Sequence, residues 1–202
     1  MRKDPRPAAG VHNRAMPADV VIHTRRLLLR PLQPGDVDAL FAVFGDPLVM
    51  RHWSTPPWPD RGPGQAMVEL DRRRGADADW LRLGLVRRED DRLLGTCTLF
   101  DHVAGSRRCE IGYALASAAW GQGLMHEALT ALIDHGFGAL DLNRIEADID
   151  PRNRASARTL ARLGFVQEGL LRERWIVAGE VSDSALWGLL RRDWPARPPA
   201  PA

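Results

Sequence analysis

AAWGQGLMHEA, residues 118–128, decides how this chain is read, because it sets two glycines where a strand-like run gives way to a helix-like one. Upstream, RRCEIGYALA (107–116) reads as a strand. Downstream, Met125, Ala128, Leu129 and Leu132 recur at helical spacing and form an apolar stripe. A helix start leaves about four backbone N–H groups without internal acceptors, and the aligned peptide dipoles make that end electropositive. Gly121 and Gly123 lack the Cβ atoms that would hold an anion's oxygens away, and they accept the backbone angles of an anion-cradling turn. The turn is therefore a candidate phosphate cradle; the alternative is a tight strand-to-helix connection with no ligand. A dinucleotide fingerprint wants a third glycine where His126 stands, and the Gly-Lys-Ser/Thr of a P-loop is absent, which disfavours both nucleotide folds.

Outward from the cradle, HTRRLLLRPL (23–32) suits a first strand, and PGDVDALFAVFGDP (34–47) a helix with Val37, Leu40, Phe41 and Phe44 on one stripe. RHWSTPPWPDRGPG (51–64) has the composition of an ordered irregular loop, whose tryptophans either line a site or roof the core. A second helix is expected over 64–75, then a hairpin in which Leu81, Leu83 and Leu85 alternate before an acidic turn at 89–91. After the cradle helix come a strand (144–150), a helix (153–164) and a final hairpin turning at 178–180. This order predicts an α+β fold, a mixed, mostly antiparallel sheet with helices on both faces.

The chain's 202 residues favour one domain, expected over 21–194, with residues 1–20 and the proline-rich 195–202 as disordered tails. Lys and Arg outnumber Asp and Glu by only two, which argues against a general nucleic-acid coat. Cys97 and Cys109 stand alone, so neither a zinc cluster nor a disulfide framework is indicated, and a cytoplasmic location fits. No run reaches the ~20 apolar residues of a membrane span. His126 and His135 are nine apart on one helix, which suits no metal site.

IDPRNRASARTLARLGFVQEG (149–169), taken with the cradle, resembles the GNAT superfamily of acyl-CoA N-acyltransferases. In that family an R/Q-x-x-G-x-G/A turn binds the CoA diphosphate; AAWGQG stands in its place, with Ala118 at the Arg/Gln position. The downstream N-x-x-A/S and G-F are matched by Asn153, Ser156, Gly164 and Phe165 at the family's spacing. The W-G-x-G turn and the ending Gly179, Asp183, Leu189, Leu190, Trp194 are similar to the branch holding the ribosomal-protein-alanine N-acetyltransferases. The resemblance runs over about residues 24–194. Two further departures are Met125, where Gly or Ala is usual, and Leu160, where many members carry a tyrosine that serves as general acid; the chain's only tyrosine is Tyr113.

The resemblance implies acetyl-CoA as co-substrate, no metal, and direct transfer to a primary amine in a ternary complex. It implies that the strand at Ile111, Tyr113 and Leu115 binds pantetheine through its main chain beside a splayed neighbour at 145–149. Trp120, Gly121, Gln122, Gly123, Leu124 and Met125 would form the diphosphate seat. Asn153 is an N-cap, a pantetheine ligand, or both. Ser156 is the candidate proton donor to the thiolate, with an inert first-turn serine as the alternative. Glu110 is the candidate base, with a surface ion pair to Arg107 or Arg108 as the alternative; Glu127 has a structural role at the helix start. Arg154, Arg158 and Arg162 form a solvated stripe from which one could reach the 3′-phosphate. The expected partner is an amine, either a protein N-terminus or a small molecule, with no nucleic acid and no membrane; a homodimer stays open. The rival functions are a non-catalytic acyl-CoA-binding module and a nucleic-acid-binding protein.

Overall fold

The computed structural model of the chain describes residues 16–74 and 78–195. Eight strands form one sheet: β1 (Ile22–His23), β2 (Leu27–Arg30), β3 (Leu81–Arg87), β4 (Arg92–Val103), β5 (Arg108–Leu115), β6 (Arg144–Ile149), β7 (Val166–Val177) and β8 (Glu180–Leu190). Their order is β1-β2-β3-β4-β5-β6-β8-β7. Among the described residues only β5 and β6 run parallel; every other pair is antiparallel. This is the expected mixed sheet, and the connection from β5 to β6 is the cradle helix, as a parallel pair requires a crossover.

Among the described residues five α-helices accompany the sheet: α1 (Val37–Phe44), α2 (Pro47–Met50), α3 (Gly62–Arg73), α4 (Leu124–Gly138) and α5 (Arg154–Arg162). On one face α4 and α5 bury Leu124, Leu129, Leu132, Ile133 and Leu160 against Leu83, Leu85, Leu99, Ile111 and Ile145. On the other, α1 and α3 bury Leu40, Val43, Phe44 and Val68 against Val86, Leu93 and Ala114. Each such fully buried leucine or isoleucine is worth about 1.5–3 kcal/mol of transfer free energy, so the alternation within the strands holds both helix layers in place.

Three expectations are corrected. The first strand is not continuous over 23–32: it breaks at 24–26, where the Arg26 N–H donates to Glu127 on α4 rather than to a ladder partner. Residues 16–20 are not tail, because Met16 and Val20 are buried in the α4/α5 core and the Met16 N–H donates to the Ala78 carbonyl at 3.0 Å. The second helix begins at Gly62 and ends at Arg73, and a short α2 precedes the loop. The tail expectations for 1–15 and 196–202 fall outside the described residues. Cys97 and Cys109 are buried free thiols.

Candidate active site

β5 and β6 pair only from Arg108 to Glu110 against Arg144 to Glu146. Beyond that point β5 continues to Leu115 along β4, and β6 continues to Ile149 along β8, with no ladder between them. The two central strands part, so the main chain of 111–115 faces a cleft through the sheet rather than a partner strand. The splay expected at 145–149 begins only after Glu146, because Ile145 and Glu146 still pair with Cys109 and Glu110.

The cradle closes one end of that cleft. Gly121 and Gly123 both take left-handed angles, at φ +75° and +74°, and Gly123 caps α4. Nothing lies within 4 Å of where a Cβ on Gly121 would stand. The first bond into the helix runs from Glu127 N–H to the Gly123 carbonyl at 3.1 Å, so the amides ahead of it lack an acceptor one turn back. The fit to an anionic group is therefore steric as well as electrostatic. The Trp120 indole donates to the Leu115 carbonyl at 2.8 Å, which ties the turn to the strand end and occupies that carbonyl. Gln122 folds back, its amide donating to the Ala118 carbonyl at 3.2 Å. Met125 packs half-buried on the core, and Leu124 is buried.

Arg26 was not found from the sequence. Its guanidinium donates to the Gln122 carbonyl at 2.8 Å and to Glu127 at 2.7 Å, and Nη2 lies 3.6 Å from the position of a Cβ on Gly123. It puts a cation beside the cradle. Burial pushes the Glu127 carboxyl up, but bonds from the Thr24 hydroxyl and from the Arg26 amide and guanidinium outweigh this and hold it below the usual carboxylate range. Glu127 thus has a structural role at the helix start, which it fills by clamping Thr24 and Arg26. Ser117 donates to Asp46 at 2.7 Å, joining the same turn to the start of α2.

The chemical groups fall on opposite faces of the cleft. Ile111 and Tyr113 side with α4 and α5. Ser156 stands there too, at the start of α5, where the Asn153 carboxamide oxygen accepts its N–H at 3.1 Å; Asn153 is the expected N-cap. Glu110 points to the other face, in register with Glu146 across the last ladder pair and near Asp148 on β6. The ion pair that was its structural alternative is not made: Arg107 binds Asp141, and Arg108 binds Glu146 at 2.8 Å. Among the described residues Glu110 makes no side-chain hydrogen bond or ion pair. Burial raises its pKa above the usual carboxylate range, with Asp101, Asp148 and Glu146 adding to the rise and Arg174 opposing it. Glu146 and Asp148 were legible as one face of RIEADID but were not singled out.

A second missed group is His52, whose Nδ1 lies 3.7 Å from Asp150 at the end of β6. Asp150 also accepts the Arg152 amide at 2.8 Å, and Arg152 in turn pairs with Glu180 of the final hairpin. His52 thereby links the 51–61 loop to that hairpin across the cleft end. The tryptophans of the loop roof the core: Trp58 stacks on Phe44 at 4.6 Å and Trp53 meets the same ring edge-on at 5.5 Å. Arg154, Arg158 and Arg162 are exposed, as expected of a solvated stripe. Among the described residues no group of three or more His, Cys, Asp or Glu could hold a metal, and no helix is long and apolar enough to cross a membrane.

A left-handed glycine turn opening a helix stands beside two parallel strands that part, which leaves a cleft with unpaired turn amides at one end. Residues 26–166 match the acetyltransferase (GNAT) domain family, and the chain belongs to that family. It is 35% identical to the uncharacterized N-acetyltransferase p20 of Bacillus licheniformis, over 86% of this chain and 97% of that protein. It is 35% identical to the ribosomal protein uS5-alanine N-acetyltransferase of Escherichia coli over 55% of this chain and 58% of that enzyme. Among solved structures, a GNAT-family protein from Chromobacterium violaceum superposes with a TM-score of 0.79 at 26% identity, over 97% of this chain and 98% of that one. The chain is accordingly an acyltransferase enzyme, and GNAT acetyltransferases use acetyl-CoA.

Proposed function

We propose that this enzyme carries the acetyl group of acetyl-CoA to a primary amine by direct attack in a ternary complex, the acceptor being a protein N-terminus or a small amine. The observation that carries the reading is the cleft where β5 and β6 part, with the cradle at its end, Ser156 on one face and an unpaired Glu110 on the other. The turn amides at 121–125 and the adjacent Arg26 would hold the CoA diphosphate, and the main chain of β5 the pantetheine arm. The bound thioester supplies the acyl carbon. An amine of pKa about 8–10 arrives protonated, and Glu110 accepts that proton. As the C–N bond forms and the C–S bond breaks, Ser156 donates its hydroxyl proton to the departing sulfur and takes the second proton from nitrogen. Glu110 returns its proton to water.

Mass spectrometry of amines and peptides after incubation with acetyl-CoA tests this. An acetylated product is expected, and tight CoA binding with no product from any amine would leave a binding module instead. Ser156→Ala is expected to lower kcat by at least about tenfold with CoA affinity unchanged. Its N–H still bonds to Asn153, so α5 keeps its cap. Unchanged turnover would remove the hydroxyl from the mechanism.

A further inference from the structure

Tyr113 carries a feature that neither the cradle nor the base explains. Its ring packs half-buried on the α4/α5 core, while its hydroxyl is sealed from solvent and has no hydrogen bond of ordinary geometry. A buried hydroxyl without a partner loses its hydration and recovers nothing, so phenylalanine would be the more stable occupant if packing were the only role. The side chain whose hydrogen-bonding capacity bears on that hydroxyl is Ser156, across the gap between β5 and the start of α5. Ser156 has its backbone fixed by Asn153, but its own Oγ makes no hydrogen bond among the described residues. Both hydroxyls therefore lie unengaged on the face of the cleft opposite Glu110.

We propose that Tyr113 is a positioning residue: its hydroxyl donates to Ser156 Oγ and turns the serine proton toward the sulfur in the cleft. The inference rests on the assignment of Ser156 as proton donor above. A serine oxygen has one proton and two lone pairs. With one lone pair taken by Tyr113, the other remains for the proton leaving nitrogen, and the serine proton has the sulfur as its acceptor. One proton enters Ser156 as another departs, so no alkoxide accumulates and no outside acid is needed. Tyr113 itself keeps its proton, because burial pushes its pKa up to about 12 even though Ser156 pulls it down. It is thus a permanent donor at working pH.

The test uses the full chain and the acceptor found by mass spectrometry. Tyr113→Phe is expected to lower kcat about tenfold while the KM for acetyl-CoA moves less than about twofold, and the Tyr113→Phe, Ser156→Ala double variant should be no slower than Ser156→Ala alone. Thermal unfolding should show Tyr113→Phe at least as stable as the parent, which separates the loss from misfolding. An unchanged kcat, or effects that multiply in the double variant, would overturn the proposal. A second readout needs no turnover. Because the chain has one tyrosine, isotopic labelling at Cζ gives one resonance, expected to shift in Ser156→Ala and to shift on CoA binding only when Ser156 is present. A resonance indifferent to Ser156→Ala sinks the positioning role even where no amine is acetylated, the result that defeats the proposed function by itself.

Discussion

Gly123→Val is expected to weaken CoA binding at least about tenfold, a loss of about 1.4 kcal/mol, while the protein stays folded. Gly123 caps α4 at φ +74°, a region that costs a residue with a Cβ about 1–2 kcal/mol and a β-branched one more. The added Cβ would meet only Arg26 Nη2, at 3.6 Å, an ordinary contact, so no neighbour must shift to admit it. The strain is relieved instead by rotating the turn, which swings its amides away from the place an anion occupies. Charge-assisted bonds of this kind are worth about 1.5–3 kcal/mol each, so losing one of them, added to the strain, makes tenfold a lower bound. Calorimetric titration with CoA measures the affinity and circular dichroism the fold. Gly138→Ala, at the far end of the same helix with nothing within 4 Å of its Cβ position, serves as the control and should bind as the parent does. Equal affinities for Gly123→Val and the parent would mean that the diphosphate sits elsewhere.

What the sequence made legible was whatever depends on near neighbours along the chain. The glycines, the strand before them and the apolar stripe after them lie within about thirty residues, and their periodicities alone place the cradle at the end of a strand. The cleft followed from family spacing, since nothing local in Ile111–Leu115 says that its ladder to β6 will stop after Glu110. What was hidden is long-range pairing. Arg26 reaches Gln122 and Glu127 across about a hundred positions, and that capture also breaks the first strand at 24–26. His52 meets Asp150 across a comparable distance, and Met16 is buried by residues far along the chain. The final hairpin was legible, but not that β8 rather than β7 docks on β6. The distinction is burial: Ser184, Ala185 and Leu189 of β8 are inside, whereas β7 is exposed along nearly its whole length with Glu168, Arg172 and Arg174 among its residues. Met125, placed by its helical spacing on the apolar stripe, does pack against the core.

Glu110→Gln is expected to lower kcat about a hundredfold at neutral pH, the usual loss for a positioned base, and to make the protein no less stable. Glutamine keeps the shape and removes the proton acceptor. In the folded chain burial raises the pKa of Glu110, and Asp101, Asp148 and Glu146 raise it further, so ionising the side chain costs folding free energy. The folded pKa lies above the unfolded one. This group's favourable contribution is therefore complete below the ordinary carboxylate range and is lost as pH rises through the folded value. Glu110→Gln should accordingly unfold at a temperature equal to or above that of the parent at neutral pH, with the gap closing as pH falls below ~4 and glutamate becomes protonated in both states. Turnover runs the other way. The parent needs Glu110 ionised, so its kcat should fall on the acid side in a limb lying above the usual glutamate pKa, and that limb should be missing from Glu110→Gln. A residue kept only for packing would show neither the lost limb nor the gain in stability. Should Glu110→Gln retain full turnover with the same acid limb, the proton acceptor stands elsewhere, and His52 beside Asp150 at the end of the cleft is the next side chain to replace.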